Sequence, residues 1–242
     1  MGEDLKRQYE LSNRKKYYIF FVILVITVIA GIYFMTLGVA DTSMVQVLKA
    51  IYFLISGNIS SSPDSASYKI IVLMRLPRIL MAAVAGIGMA LAGTSMQAVT
   101  RNQLVSPFTV GVSSAAAFGA SMCIVFGESL FFKSEAGIVI CAFVSALVCI
   151  SIVYVVSAKA GMSAETVVLC GIALNYFFNA LTATVEFFAQ EHKLAAVVQW
   201  TFGTFNGVTW SEVLAASVFV IICSTIIYTK RFNLNIMAAS DD

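Results

Sequence analysis

Two arginines three positions apart, Arg75 and Arg78, are the side chains of this sequence best suited to specific recognition. A guanidinium stays charged in proteins and pairs bidentately with carboxylates, so the pair suits contact with an acidic surface. The same side chains could instead snorkel to lipid headgroups, and charge alone favours that anchoring role. Groups for bond chemistry are scarce. The sequence contains no HExxH, no GxSxG serine, no Walker A lysine motif and no dinucleotide fingerprint. His192, the single histidine, lies in a polar cluster with no second His and no Cys, which fits a solvated loop residue better than a metal ligand. Glu165 and Glu186 fall at the ends of apolar runs, whereas an ion-coupled carrier usually holds a charge at mid-membrane. Catalysis and ion coupling are both disfavoured.

The elements that must position Arg75 and Arg78 are membrane helices. Of the 242 residues 60% are hydrophobic and 12% charged, against about 25% charged in soluble domains, and the mean hydropathy is +0.90. Charge-free runs occur at 17–38, 79–100, 102–127, 136–158, 166–185 and 213–229. About 20 apolar residues cross a bilayer, and in lipid they satisfy their backbone only as a helix or a closed barrel. The expectation is an all-α, polytopic bundle forming a single transmembrane domain over 1–242, with six spans. The third span is placed at 108–127 within its run. Residues 17–38 exceed a signal-peptide core of about 7 to 15 residues, so they read as an uncleaved first helix. Cys123, Cys141, Cys149, Cys170 and Cys223 all lie in apolar runs without a CxxC pair and read as small packing residues.

Charge sets the orientation. Lys6, Arg7, Arg14, Lys15 and Lys16 precede the first span and hold the N-terminus in the cytoplasm. Alternation then puts Arg101, Lys159, Lys230 and Arg231 inside, and Lys49, Lys69, Arg75, Arg78, Lys133 and Lys193 outside. The arginine pair therefore faces outward, against the inside bias. Between the first two spans, Met44, Leu48, Ile51 and Ile55 share one face of an expected interfacial helix, and 56–68 reads as an outer loop. Pro107 and Gly111 predict irregular backbone at the start of the third span, which is tolerated only inside protein or beside water. Leu194, Val197 and Val198 have helical spacing in the outer segment 186–212, where Trp200 and Trp210 fit an interfacial belt. Residues 230–242 read as the first turns of a cytoplasmic helix.

The stretch from Arg75 to Ser114 has a more specific pattern. Arg75-Leu76-Pro77-Arg78 leads into 22 uncharged residues crowded with Ala82, Ala83, Ala85, Gly86, Gly88, Ala90, Ala92 and Gly93. Gln97, then Arg101-Asn102-x-Leu104-x-x-Pro107 and Gly111-Val112-Ser113-Ser114 follow. Small residues at such spacing permit close helix approach. Met74, Met81, Met89 and Met96 also recur at helical spacing, more often a packing stripe than a contact for cargo. With Leu169-Cys170-Gly171-Ile172-Ala173-Leu174, Trp200-x-x-Gly203 and Gly207-x-x-Trp210, the pattern resembles the FecCD-type permeases. These are the membrane subunits of ATP-binding cassette (ABC) importers for iron-siderophores, haem and vitamin B12. The resemblance covers nearly the whole chain, with Gln103 standing where the family has proline.

That resemblance implies roles for individual residues. Arg75 and Arg78 would meet acidic side chains of an extracytoplasmic substrate-binding protein. Gly86, Ala90, Gly93, Gln97, Asn102 and Pro107 would line the translocation pathway; the bland alternatives are helix packing and a helix-breaking loop. Met162, Ser163, Ala164 and Glu165 would form a cytoplasmic gate, although Ser163 and Glu165 also suit a plain helix N-cap. Asn233, Leu234, Ala239 and Asp241 would begin the ATPase coupling region. The implied partners are a second permease copy or homologue, a cytoplasmic ABC ATPase that uses ATP, the binding protein and membrane lipid, with no nucleic acid. The chain itself would bind no cofactor or metal and perform no bond chemistry. The implied location is a bacterial plasma membrane, and the implied cargo a ferric siderophore, with cobalamin or haem as alternatives. An ATP-independent channel or secondary carrier is the rival of another class, and a structural scaffold a third. Because the family fold has ten spans, the expectation is that these residues are its N-terminal part and cannot couple to an ATPase alone.

Overall fold

The computed structural model describes residues 2–38, 42–56, 65–103, 105–127, 134–161 and 163–239, and every described regular element is helical. In chain order these are α1 (Gly2–Phe34), α2 (Met44–Ser56), α3 (Ser65–Lys69), a π-helical turn (Ile70–Arg75) and α4 (Leu76–Thr100). A 3₁₀ turn (Pro107–Val110) precedes α5 (Val112–Phe126), α6 (Glu135–Lys159), α7 (Ala164–Phe188), α8 (Glu191–Phe202), α9 (Trp210–Thr229) and α10 (Arg231–Ala239). Among the described residues, five stretches are long and apolar enough to cross a membrane: Arg14–Phe34, Ala66–Thr100, Glu135–Lys159, Ala164–Phe188 and Trp210–Thr229.

The expected span at 108–127 takes another form. Its helix, α5, has 15 residues, or about 22 Å at 1.5 Å per residue, short of a hydrocarbon core of about 30 Å. The cause is local. Pro107 opens the 3₁₀ turn, and Gly111, at φ 78°, makes a left-handed joint before α5. The irregular backbone predicted there is thus a 3₁₀ turn on a glycine hinge.

The chain divides into two compact units. The first comprises residues up to Ala83 together with Asn206–Ala215. Its core is Met35, Val47, Ala50, Ile71 and Val72, with Ile51, Leu54 and Ile79 packed against it. A reciprocal cap starts α2: the Ser43 amide donates to Gln46 Oε1 at 2.9 Å, and the Gln46 amide to Ser43 Oγ at 3.3 Å. The helix is as expected, but its packed face is Val47, Ala50, Ile51 and Leu54, whereas Met44, Leu48 and Ile55 are exposed. α2 therefore has apolar residues on both faces, which suits an element lying between protein and lipid.

The second unit comprises Val84–Phe205 and Ala216 onward. α5 is its centre, packed against α6, α7 and α8, with Ser114, Ala115, Gly119, Ala120, Ser121, Cys123 and Val125 buried. A helix too short to span, entered through irregular backbone, is thereby surrounded by protein, as the scarcity of water in a bilayer requires. Ser134 caps α6 and Ser163 caps α7, each accepting from an amide three residues on at 3.2 Å. Lys193 on α8 donates from Nζ to the carbonyl of Val125 at 2.8 Å, satisfying one of the last carbonyls of α5.

Candidate functional site

The arginine pair is placed by the π-helical turn. Arg75 is its last residue and Arg78 lies in the first turn of α4. Three residues still differ by about 60° around an α-helix, and the environments differ accordingly. Arg75 is half-buried: its Nη1 donates to the carbonyl of Met35 and to Thr42 Oγ1. Its guanidinium also covers Gly38, where a Cβ would lie 2.7 Å from Nη2. Met35 follows α1 directly and its amide still donates to Gly31, so the cation complements the negative end of that helix. Arg78 is exposed. Arg75 therefore lies at the C-terminal end of α1.

Trp210 belongs to the same unit. Its Nε1 donates to the carbonyl of Val72 at 3.0 Å, inside the π-helical turn. A π turn disturbs the regular ladder of carbonyl acceptors, and the indole satisfies one of them. The expected role for Trp210 in an interfacial belt is thus joined by a backbone contact 138 positions away in sequence.

The proposed pathway residues lie along α4 and the turn after it. Gly86 and Ala90 are exposed and Gly93 and Gln97 half-buried, and a Cβ on Gly86 would meet nothing within 4 Å. Successive steps of about 100° put all four on one face. Lower down, the structure joins this stripe to the turn: Gln97 Nε2 donates to the Gln103 carbonyl at 3.0 Å, and a Cβ on Gly93 would sit 3.9 Å from Pro107 Cδ. Asn102 is exposed, and its carbonyl accepts from the Val105 amide at 3.3 Å.

The remaining residues fall elsewhere. Ser163 is the α7 N-cap, with Oγ also 2.8 Å from Thr166 Oγ1, and Ala164 and Glu165 form the first turn. Met162 lies outside the described residues. Asn233 is exposed and Leu234 half-buried on α10, Ala239 is its last residue, and Asp241 lies outside the described residues.

Three features were not anticipated. Gly171 on α7 receives the 3₁₀ turn so closely that a Cβ would fall 2.6 Å from Val110 Cα and 2.7 Å from the Thr109 carbonyl. Gly119 on α5 faces α6, with a Cβ position 2.4 Å from the Cys141 carbonyl. A glycine inside an apolar run is the usual signal of such close approach. The third is an amide pair in the middle of α7: Asn179 Nδ2 donates to Asn175 Oδ1 at 2.9 Å, with Asn179 exposed and Asn175 half-buried. Polar amides at mid-span face protein or water rather than hydrocarbon, and two of them four residues apart in an apolar run were the available signal.

The helical fold has known relatives. A family model described as the FecCD transport family matches residues 22–242. An archaeal protein of Methanocaldococcus jannaschii, named as an ABC transporter permease, is 32% identical over 99% of this chain and 68% of its own length. The molybdate import permease MolB of Haemophilus influenzae is 32% identical over 74% of the chain and 52% of its own length. The Fe(3+)-citrate import permease YfmD of Bacillus subtilis is 30% identical over 84% and 57%. A solved ABC transporter, described as of the metal-chelate type and inward-facing, superposes with a TM-score of 0.75 at 28% identity over 93% of this chain and 65% of that one. The chain thus spans between about half and two thirds of the relatives it matches. These relatives are permeases rather than enzymes, and a match reaching from α1 through α10 includes the arginine pair, the small-residue stripe and the Pro107 turn. The chain is a multi-pass membrane protein of the FecCD transport family.

Proposed function

We propose that the chain works within the membrane-spanning permease of a binding-protein-dependent ABC importer, which carries a metal chelate, a ferric siderophore, into the cytoplasm. The observation that carries this reading is the hydrogen-bonded amide pair of α7, with Asn179 exposed, beside an apolar exterior. Asn179 at mid-span needs water or a protein partner, and a second permease copy enclosing an aqueous pathway supplies both. Gly86, Ala90, Gly93, Gln97, Asn102 and Pro107 add a wall of small and polar groups, and exposed Met89 gives it a soft, adaptable surface. Relatives named for Fe(3+)-citrate, hemin, cobalamin and molybdate support a metal-containing cargo. Cobalamin or haem would use the same mechanism.

Arg78, exposed at the outer face, is the direct contact for carboxylates of the binding protein, and Arg75 fixes the platform beneath it. Inside, residues Met162 to Glu165 close the pathway, and α10, carrying Asn233, Leu234 and Ala239 toward Asp241, meets the ATPase. The N-terminus lies in the cytoplasm. ATP is spent by the separate ATPase, whose nucleotide states bind the two permease conformations differently and so drive exchange between them.

Uptake of radiolabelled iron as a ferric siderophore, in cells whose own uptake genes are deleted, tests the reading. Accumulation that requires the permease, the binding protein and the ATPase is expected. Accumulation that persists without the ATPase would establish an ATP-independent channel or carrier instead.

A further inference from the structure

Arg101 follows α4 directly and is the sole non-glycine residue with positive φ among the described residues, at 51°. That left-handed backbone is disfavoured for a side chain with a Cβ, and glycine would adopt it without strain. The side chain at this position reaches far: its Nε donates to the carbonyl of Met237 at 2.8 Å, 136 positions away. Met237 is within the last turn of α10, whose final carbonyls have no partner inside the helix. A guanidinium there also complements the negative helix end. The other end of α10 is held as well, because the Arg231 guanidinium lies 4.1 Å from the centre of the Tyr228 ring, at the end of α9. Between these two ties, Phe232 and Ile236, four residues apart, remain exposed.

We propose that Arg101 is a positioning residue that fastens α10 to the cytoplasmic end of α4, so that a force applied to α10 is delivered to the pathway helix without an intervening loop. The link rests on the reading of this chain as an ATP-driven permease whose α10 meets the ATPase. The left-handed backbone at Arg101 turns the chain sharply after Thr100, and this brings the guanidinium back toward α10 while Gln97 holds the carbonyl of Gln103, two residues on. The turn and the helix end are then one unit, joined through the Arg101 side chain.

The test uses the whole permease that carries this chain, reconstituted with its ATPase and binding protein, comparing wild type with Arg101→Gly and Arg101→Lys. Gly keeps the backbone and removes the tie; Lys keeps a cation that can donate to the same carbonyl. Loss of a charge-assisted bond predicts transported cargo per ATP roughly ten-fold lower in R101G, with hydrolysis itself retained and partial recovery in R101K. Spin labels at the exposed residues Val99 and Phe232 should report one narrow distance in wild type and R101K, and a broad one in R101G. Equal cargo per ATP in wild type and R101G, or an unchanged label distance, overturns the proposal and leaves the importer reading intact. A wild-type complex without ATP-driven uptake overturns both.

Discussion

Arg75 reaches back 40 positions to donate a hydrogen bond to the carbonyl of Met35, just beyond the end of α1. The contact assigns the two arginines different work. One is committed to the backbone of its own unit, and the other is presented outward.

Removing these two side chains should therefore have separable effects. Arg75→Ala breaks bonds from a cation to Met35 and Thr42 and should lower stability by about 1.5 to 3 kcal/mol. Arg78→Ala should leave stability within about 0.5 kcal/mol, as for most exposed sites, while weakening capture of the binding protein. Thermal unfolding in detergent and a binding titration separate the two. Equal melting temperatures for both variants would show that the Met35 contact carries no weight.

The glycines divide in the same way. Gly119→Ala and Gly171→Ala each push a methyl into backbone at 2.4 Å and 2.6 Å and should cost about 1 to 3 kcal/mol. Gly86→Ala enters open space and should stabilise the helix by up to about 1 kcal/mol. A denaturation series on the three variants should rank Gly86→Ala above wild type and the other two below it.

Asn179→Leu probes the mid-span amide. Asn175 loses its neighbour, yet an exposed site should change stability by no more than about 0.5 kcal/mol. Uptake should fall, because the pathway face loses its donor. A variant that transports at the wild-type rate would place this face outside the pathway.

Trp210→Phe keeps the ring and deletes the donor to Val72. The carbonyl left unsatisfied in the π-helical turn should cost about 1 to 3 kcal/mol, read as a lower melting temperature. Trp200→Phe serves as the control, since no such bond to the π turn is made there.

Much of this was legible in the residues because bilayer physics leaves few choices. Charge-free runs had to be helices, and Pro107 with Gly111 had to interrupt one. Ser163 before Ala164-Glu165 had to look like a cap, and it caps α7. What could not be read were distances across the chain. Apolar periodicity in α2 cannot say which face meets protein, because both faces are apolar. Two arginines three apart look equivalent until the C-terminal carbonyls of α1 arrive beside one of them. Gly119 and Gly171, each inside an apolar run, signal close approach without naming the partner, and only their neighbours show that backbone occupies the missing Cβ volume.

Those last two contacts carry a mechanical consequence. Where helices touch through side chains, rotamers can shift and the seam can slide; where backbone lies on backbone, nothing soft remains to absorb a displacement. Gly119 against Cys141 and Gly171 against Val110 weld α5, α6, α7 and the 3₁₀ turn into a stiff block. Any stroke of the proposed importer has to be taken up along other seams, and it is there that changes of sequence can retune its travel without unseating the block.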